Sequence, residues 1–211
     1  MLRPISTNIS IITNFGCKFN CWYCIWNNHK LKNININTNW DKLYDFLKEN
    51  KSKRKVSVSG GKDPLYNYNE KYFIWWEKLF KICNELDIKV DVHSRTKLKN
   101  KDFWNKINRY VISSDNIDKD IEYFKWIIKY TKVRITHVVT NKTTNKLINK
   151  YLSFQKKYNC QFSIKELIGY NLNNEKYKNF KKKYPNIFYI DEGDYNIYFM
   201  PDNNVYYKFL I

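Results

Sequence analysis

The chain has 211 residues and a mass of 25.9 kDa, enough for one domain with at most a small appendage. With 43% hydrophobic and 27% charged residues and no long apolar run, it reads neither as a disordered tail nor as a membrane-spanning bundle. The formal net charge of +18 has two readings. One is a polyanionic partner such as RNA, DNA or a phosphorylated substrate. The other is an AT-rich codon bias: alanine is absent, and only five of the 38 basic residues are Arg, the side chain best suited to bidentate phosphate contact.

The opening residues, Met1 to Ile5, lack the apolar run of a secretory signal. The first β-type run is Ile9 to Thr13, and it ends at a cysteine loop. A helix follows from Trp40 to Glu49, with Trp40, Leu43, Tyr44 and Leu47 on one face. Lys55 to Ser59 is a second strand that ends in Gly60-Gly61. An amphipathic helix is expected from about Glu70 to Leu86. Lys89 to Arg95 and Arg109 to Ser113 read as the third and fourth strands, and residues 118–130 as a helix. Lys132 to Thr140 is a fifth strand, Asn145 to Tyr158 a helix, and Gln161 to Ile168 a sixth strand. Strands alternating with helices imply βα units and a parallel sheet.

The tail differs. Asn186 to Ile190, Tyr195 to Met200 and Val205 to Leu210 are β-type runs punctuated by Gly193-Asp194 and by Pro201 to Asn204. They predict a small antiparallel meander. Lys176, Lys178, Lys181, Lys182 and Lys183 read as the solvated face of a basic helix. The expected fold class is therefore α/β: a partial, TIM-like (β/α)6 barrel over residues 1–170, with a basic helix and β extension over 171–211 packed on it.

Several strands alternate where strands buried on both faces would be uniformly apolar. Val56 and Val58 alternate with Ser57 and Ser59, and Val90 and Val92 with Asp91, His93 and Arg95. Val133, Ile135 and Val139 alternate with Arg134, Thr136 and Thr140, and Phe162 and Ile164 with Ser163 and Lys165. Buried polar groups are costly unless partnered. A polar lumen that holds a ligand accounts for the pattern; an antiparallel sheet with one wet face is the alternative.

Five cysteines are present, Cys17, Cys21, Cys24, Cys83 and Cys160. An odd number with three inside eight residues is not a disulfide framework; it points to metal, a reducing compartment and a cytoplasmic protein. Cys-x3-Cys-x2-Cys lets three thiolates converge on a [4Fe–4S] cluster and leaves one iron open for a ligand. Zinc is the competitor, but the nearest further ligand, His29, does not give the usual paired spacing.

Cys17-Lys18-Phe19-Asn20-Cys21-Trp22-Tyr23-Cys24, directly after the first strand, resembles the motif of the radical S-adenosylmethionine (radical SAM) superfamily. The resemblance extends over roughly residues 8–168. It implies a partial barrel, a [4Fe–4S] cluster on Cys17, Cys21 and Cys24, and S-adenosylmethionine bound at the open iron. It further implies reductive cleavage to a 5′-deoxyadenosyl radical that takes hydrogen from a substrate. Ser59-Gly60-Gly61-Lys62-Asp63-Pro64-Leu65 is similar to the family's Gly-Gly-Glu-Pro motif. It departs by the insertion of Lys62 and by Asp63 in place of Glu.

By the same resemblance Gly60, Gly61 and Asp63 are expected at the methionine amino group. Tyr23 is expected beside the cluster and adenine, Ser113 and Asp115 at the ribose, and Arg134 at the ligand carboxylate. His93, with Asp91 and Arg95, is a candidate for cofactor or substrate contact at the end of the third strand. His137 falls on the apolar face, and Cys83 and Cys160 read as small hydrophobes. No further cysteine cluster exists for an auxiliary iron–sulfur centre, which argues against the peptide-maturing members. The implied partners are a small-molecule or nucleotide-like substrate, as for 7-carboxy-7-deazaguanine synthase-like enzymes or glycyl-radical activases, and an external donor such as flavodoxin or ferredoxin. Nucleic acid is a further candidate partner, and no membrane is. A non-catalytic zinc or iron–sulfur nucleic-acid-binding module is the alternative function.

Overall fold

The computed structural model describes residues 8–24, 38–167, 175–190 and 196–206. His29 lies outside the described residues. Two compact units are distinguished, residues 1–108 with 195–211, and residues 109–194.

The first unit is built on β1 (Asn8–Thr13), β2 (Lys55–Gly60) and β3 (Lys89–Ser94), with β8 (Asn196–Phe199) and β9 (Val205–Tyr206). Their order is β3-β2-β1-β8-β9. Every pair is parallel except β8–β9. Helix α1 (Trp40–Glu49) starts where the Asn39 side chain accepts the Lys42 N–H, and Asp41 complements its positive end. Leu43, Phe46 and Leu47 form its buried stripe. Helix α2 (Phe73–Glu85) buries Trp76, Leu79, Phe80 and Cys83, the i, i+3, i+4, i+7 pattern of a helix lying on a sheet.

The helix expected from Glu70 begins instead at Phe73. Residues Tyr68–Tyr72 wind as a π-helical turn, entered through Asn67 at φ 49°. That turn sends two buried rings to different neighbours: Tyr72 stacks on Phe15 at 3.9 Å, and Tyr68 meets Phe103 edge-on at 4.8 Å. Helix α3 (Lys101–Asn105), absent from the sequence reading, is capped by Asn100 and buries Phe103 and Trp104.

The second unit contains β4 (Arg109–Ser113), α4 (Ile117–Ile127), β5 (Lys132–Val138), α5 (Asn145–Tyr158), β6 (Gln161–Lys165), α6 (Glu175–Lys183) and β7 (Phe188–Ile190). The strands run parallel in the order β4-β5-β6-β7. Each crossover carries a helix, as parallel pairing requires. Asn116 and Thr144 cap α4 and α5, and each helix lays a buried stripe inward. Helix α6 buries Tyr177 and Phe180 and leaves Lys178, Lys182 and Lys183 exposed, the solvated basic face that its spacing suggests.

The tail strands do not form one meander. β7 pairs parallel with β6 through the α6 crossover, and β8 adds parallel to β1. Only the Pro201–Asn204 turn joins antiparallel neighbours, β8 and β9, closed by Met200 N–H to the Asn204 carbonyl at 3.0 Å. Among the described residues no helix is long and apolar enough to cross a membrane.

Candidate active site

In the first unit three loops meet at the carboxyl ends of β1, β2 and β3. The Gly61 N–H donates to the Thr13 carbonyl and the Asp63 N–H to that of Gly16, both at 2.9 Å. These bonds tie the glycine segment to the root of the cysteine loop. Gly16 takes φ +111°, a conformation that L side chains rarely adopt. A Cβ there would lie 2.6 Å from the Tyr66 ring.

Asp63 is buried and fully engaged. One carboxylate oxygen accepts from Ser94 Oγ at 2.6 Å and from Leu65 N at 2.9 Å. The other accepts the N–H groups of Arg95 at 2.9 Å and Thr96 at 3.2 Å. Its side chain is therefore committed to fixing the loop after β3, rather than pointing at a ligand amino group. Gly61 likewise has its N–H committed to β1, while Gly60 ends β2.

Cys17 is exposed, and its sulfur receives the Phe19 N–H at 3.3 Å. Cys24 closes a tight turn by donating its N–H to the Cys21 carbonyl at 3.0 Å, and it packs against Ile12 and Met200. The Cys21 sulfur accepts Arg95 Nη1 at 3.0 Å, and the Arg95 guanidinium lies 5.2 Å from the Phe19 ring centroid. Partial desolvation raises the Cys17 thiol above its usual pKa although the residue is exposed. The Phe19 N–H opposes the rise, and charge at Asp63, Cys21 and Cys24 adds to it. Two of the three loop thiols already accept N–H donors. That donor set fits thiolate-bound iron, although among the described residues no three His, Cys, Asp or Glu side chains are gathered as a ready metal array.

Tyr23 is half-buried and meets the exposed Trp22 edge-on at 5.4 Å. His93 is half-buried on β3, whereas Asp91 is buried and accepts from Asn108 Nδ2 at 2.6 Å. Ser57 and Ser59 are half-exposed on β2. A cleft of about 290 Å³ lined by Cys83, Asn84, Asp87, Lys89 and Asn108 lies at the opposite, amino-terminal end of β3. Burial pushes the Cys83 thiol up to about 12 and that of Cys160 to about 11, which keeps both protonated and inert.

In the second unit Ser113 ends β4 half-exposed and Asp115 is exposed. Ser114, between them, is the buried one. Its Oγ donates to Asp120 at 2.7 Å, and its carbonyl accepts the Tyr151 hydroxyl at 2.9 Å. Nδ1 of His137 lies 3.1 Å from that carbonyl and Nε2 lies 2.9 Å from Thr143 Oγ1. A carbonyl only accepts, so Nδ1 carries the proton. His137 is a satisfied core residue, as its position on the apolar face suggests. Thr136 and Ser163, read as lumen-facing, are buried and bonded to each other at 2.7 Å. Arg134 sits near the amino-terminal ends of these strands. Its Nε donates to Gln161 at 3.1 Å and its guanidinium lies 4.5 Å from the Phe188 ring centroid. That commitment turns it away from the carboxyl end, where Ser113 lies.

No family model and no curated protein matches the sequence. Solved structures do. SuiB of Streptococcus suis, bound to S-adenosylmethionine, aligns with a TM-score of 0.65 over 95% of this chain at 16% identity. anSMEcpe with bound AdoMet aligns with a TM-score of 0.57 over 83% of this chain at 18% identity. Both are radical SAM enzymes. The chain shares the fold of these two proteins. It spans 59% of the SuiB chain and 58% of the anSMEcpe chain. SuiB has also been solved with its precursor peptide SuiA, and anSMEcpe with the Kp18Cys peptide.

Proposed function

We propose that this chain is a radical SAM enzyme whose partial barrel binds S-adenosylmethionine beside a [4Fe–4S] cluster on Cys17, Cys21 and Cys24. The observation that carries this reading is the Cys-x3-Cys-x2-Cys loop at the carboxyl end of β1, in a fold shared with enzymes solved with that cofactor. The cluster, when bound, supplies the electron that cleaves the sulfonium and yields a 5′-deoxyadenosyl radical able to take hydrogen from a substrate. The chain's own residues do the rest. The Gly61 and Asp63 N–H bonds fix the root of the cysteine loop to the glycine segment, where Gly60 and Gly61 would admit the methionine part. Tyr23 and His93 are half-buried and are the side chains of this unit that we assign to cofactor contact.

Two substrate classes compete. The positive charge favours an anionic, nucleotide-like molecule. The peptides bound by SuiB and anSMEcpe favour a peptide, against which stands the lack of a further cysteine cluster for an auxiliary centre. Cys83 and Cys160 are buried with their thiols pushed up by burial, which leaves the three loop thiols for a cluster.

The test is anaerobic reconstitution with iron and sulfide, followed by reduction with dithionite in the presence of S-adenosylmethionine. A brown protein with about four irons that releases 5′-deoxyadenosine is expected. Cys21→Ala should lose the colour. A colourless protein holding one tight zinc would overturn the reading. Deuterium transfer into 5′-deoxyadenosine from labelled peptides and nucleotides would then separate the substrate classes.

A further inference from the structure

We propose that Arg95 is a positioning residue for the cysteine loop, its guanidinium holding the Cys21 sulfur and stabilising the more reduced state of a cluster bound there. This rests on the radical SAM reading and deepens it. The sequence offers Arg95 only as one of several polar residues near the end of the third strand. In the structure its Nη1 donates to Cys21 Sγ at 3.0 Å. The Phe19 ring, 5.2 Å from the guanidinium, covers one face of the cation.

The backbone of Arg95 is fixed as well. Its N–H is held by Asp63, whose own N–H is bonded to Gly16, the residue before Cys17. Side chain and main chain therefore both address the loop, and the cation is delivered by a buried carboxylate rather than by a free arm. The three thiols are treated differently: Cys17 receives a neutral backbone N–H, and Cys21 receives a charged donor. Lys18 also stands over the Phe19 ring, at 5.6 Å, but it is exposed and its field is screened by water.

Arginine keeps its charge at any working pH. Charge-assisted N–H donors on cluster sulfurs stabilise the electron-rich state and raise the reduction potential. The step concerned is a one-electron reduction by an external donor, dithionite in the test. No bond to the protein forms or breaks in it.

The experiment compares the reconstituted full chain with Arg95→Gln and Arg95→Lys. Iron and sulfide are counted first, and the reduced state is then followed by electron paramagnetic resonance as the potential is stepped with dithionite and mediators. Arg95→Gln should keep its iron and lose about tenfold in the reduction equilibrium constant, a midpoint about 59 mV lower for one electron. Arg95→Lys, which keeps the charge without the planar fork, should recover part of that shift. An Arg95→Gln midpoint equal to the unmodified protein's overturns the proposal. If Arg95→Gln holds no iron, Arg95→Lys decides: a lowered midpoint supports the proposal and an unchanged one overturns it. An unmodified protein that binds no cluster would instead sink the functional reading.

Discussion

Asp63 and Ser114 hold comparable positions in the two units. Each lies just past the end of a strand, β2 or β4, and each is the buried centre of a hydrogen-bonded group. Ser114 gathers Asp120, Thr136, His137 and Tyr151, and the group ends at the hydroxyl of Thr143, which itself accepts the Thr140 N–H at 2.9 Å. It turns back into the unit. Asp63 is charged, accepts four donors from Leu65, Ser94, Arg95 and Thr96, and its group continues through Arg95 to a thiol. One hub holds a fold together. The other also carries the fold's rigidity to the candidate chemistry.

The sharpest way to break this comparison is Asp63→Ala. Four donors would lose this acceptor, three of them backbone N–H groups, of which that of Thr96 keeps Ser94 Oγ at 2.9 Å, and the expected cost is about 3–4 kcal/mol. Urea unfolding reads it directly, and a loss below about 1 kcal/mol would abolish the distinction. Ser114→Ala should cost less, about 1–2 kcal/mol, because Asp120 is only half-buried and can turn to water. Iron content after reconstitution should fall in the Asp63 variant and stay unchanged in the Ser114 variant.

A pH dependence belongs to the Ser114 side. Burial lowers the His137 pKa below its ordinary 6.5, against a weaker opposing pull from the Ser114 carbonyl and the Asp115 charge. The unfolded chain then binds the proton more readily than the folded one, so stability is full above about 6.5 and falls as pH drops through the lowered value. Melting temperature should decline from pH 7 to pH 5, and His137→Gln should flatten that slope while lowering the plateau. A slope unchanged in His137→Gln would assign the decline elsewhere. The smallest effect is expected at Cys83→Ala. Its thiol is buried and protonated, so the variant should retain all its iron and lose about 1 kcal/mol through a small cavity. Loss of iron there would overturn the ligand assignment.

Local order is readable in the sequence wherever a period repeats. The face Trp40, Leu43, Tyr44, Leu47 marks a helix, although the residues it buries are Leu43, Phe46 and Leu47; the apolar spacing around Cys83 marks another, and the paired valines mark β2 and β3. Helix α3 spans five residues, too few for a period to show, although Asn100 followed by Asp102 is a start signal that could have found it. The π-helical turn at Tyr68–Tyr72 shares its apolar spacing with a helix, and the left-handed Asn67 that begins it leaves no periodic trace. Strand partners are a non-local matter: β8 reads correctly as a strand, but nothing nearby in sequence says that it lies against β1. The candidate site divides in the same way. The three cysteines and two glycines stand out by type and spacing. That Asp63 faces inward and Arg95 reaches Cys21 depends on loops 32 and 74 residues apart in sequence meeting in space.

Gly16 and the Tyr66 ring have a consequence on an evolutionary scale. Because a Cβ at position 16 would collide with that ring, the two positions behave as one inherited character. A lineage can place alanine before the first cysteine only after position 66 has shed its aromatic side chain, and even then it carries about 1 kcal/mol of left-handed backbone strain. Descendants of this sequence should therefore lose the tyrosine first and the glycine only afterwards, while the cysteines beside them stay where they are.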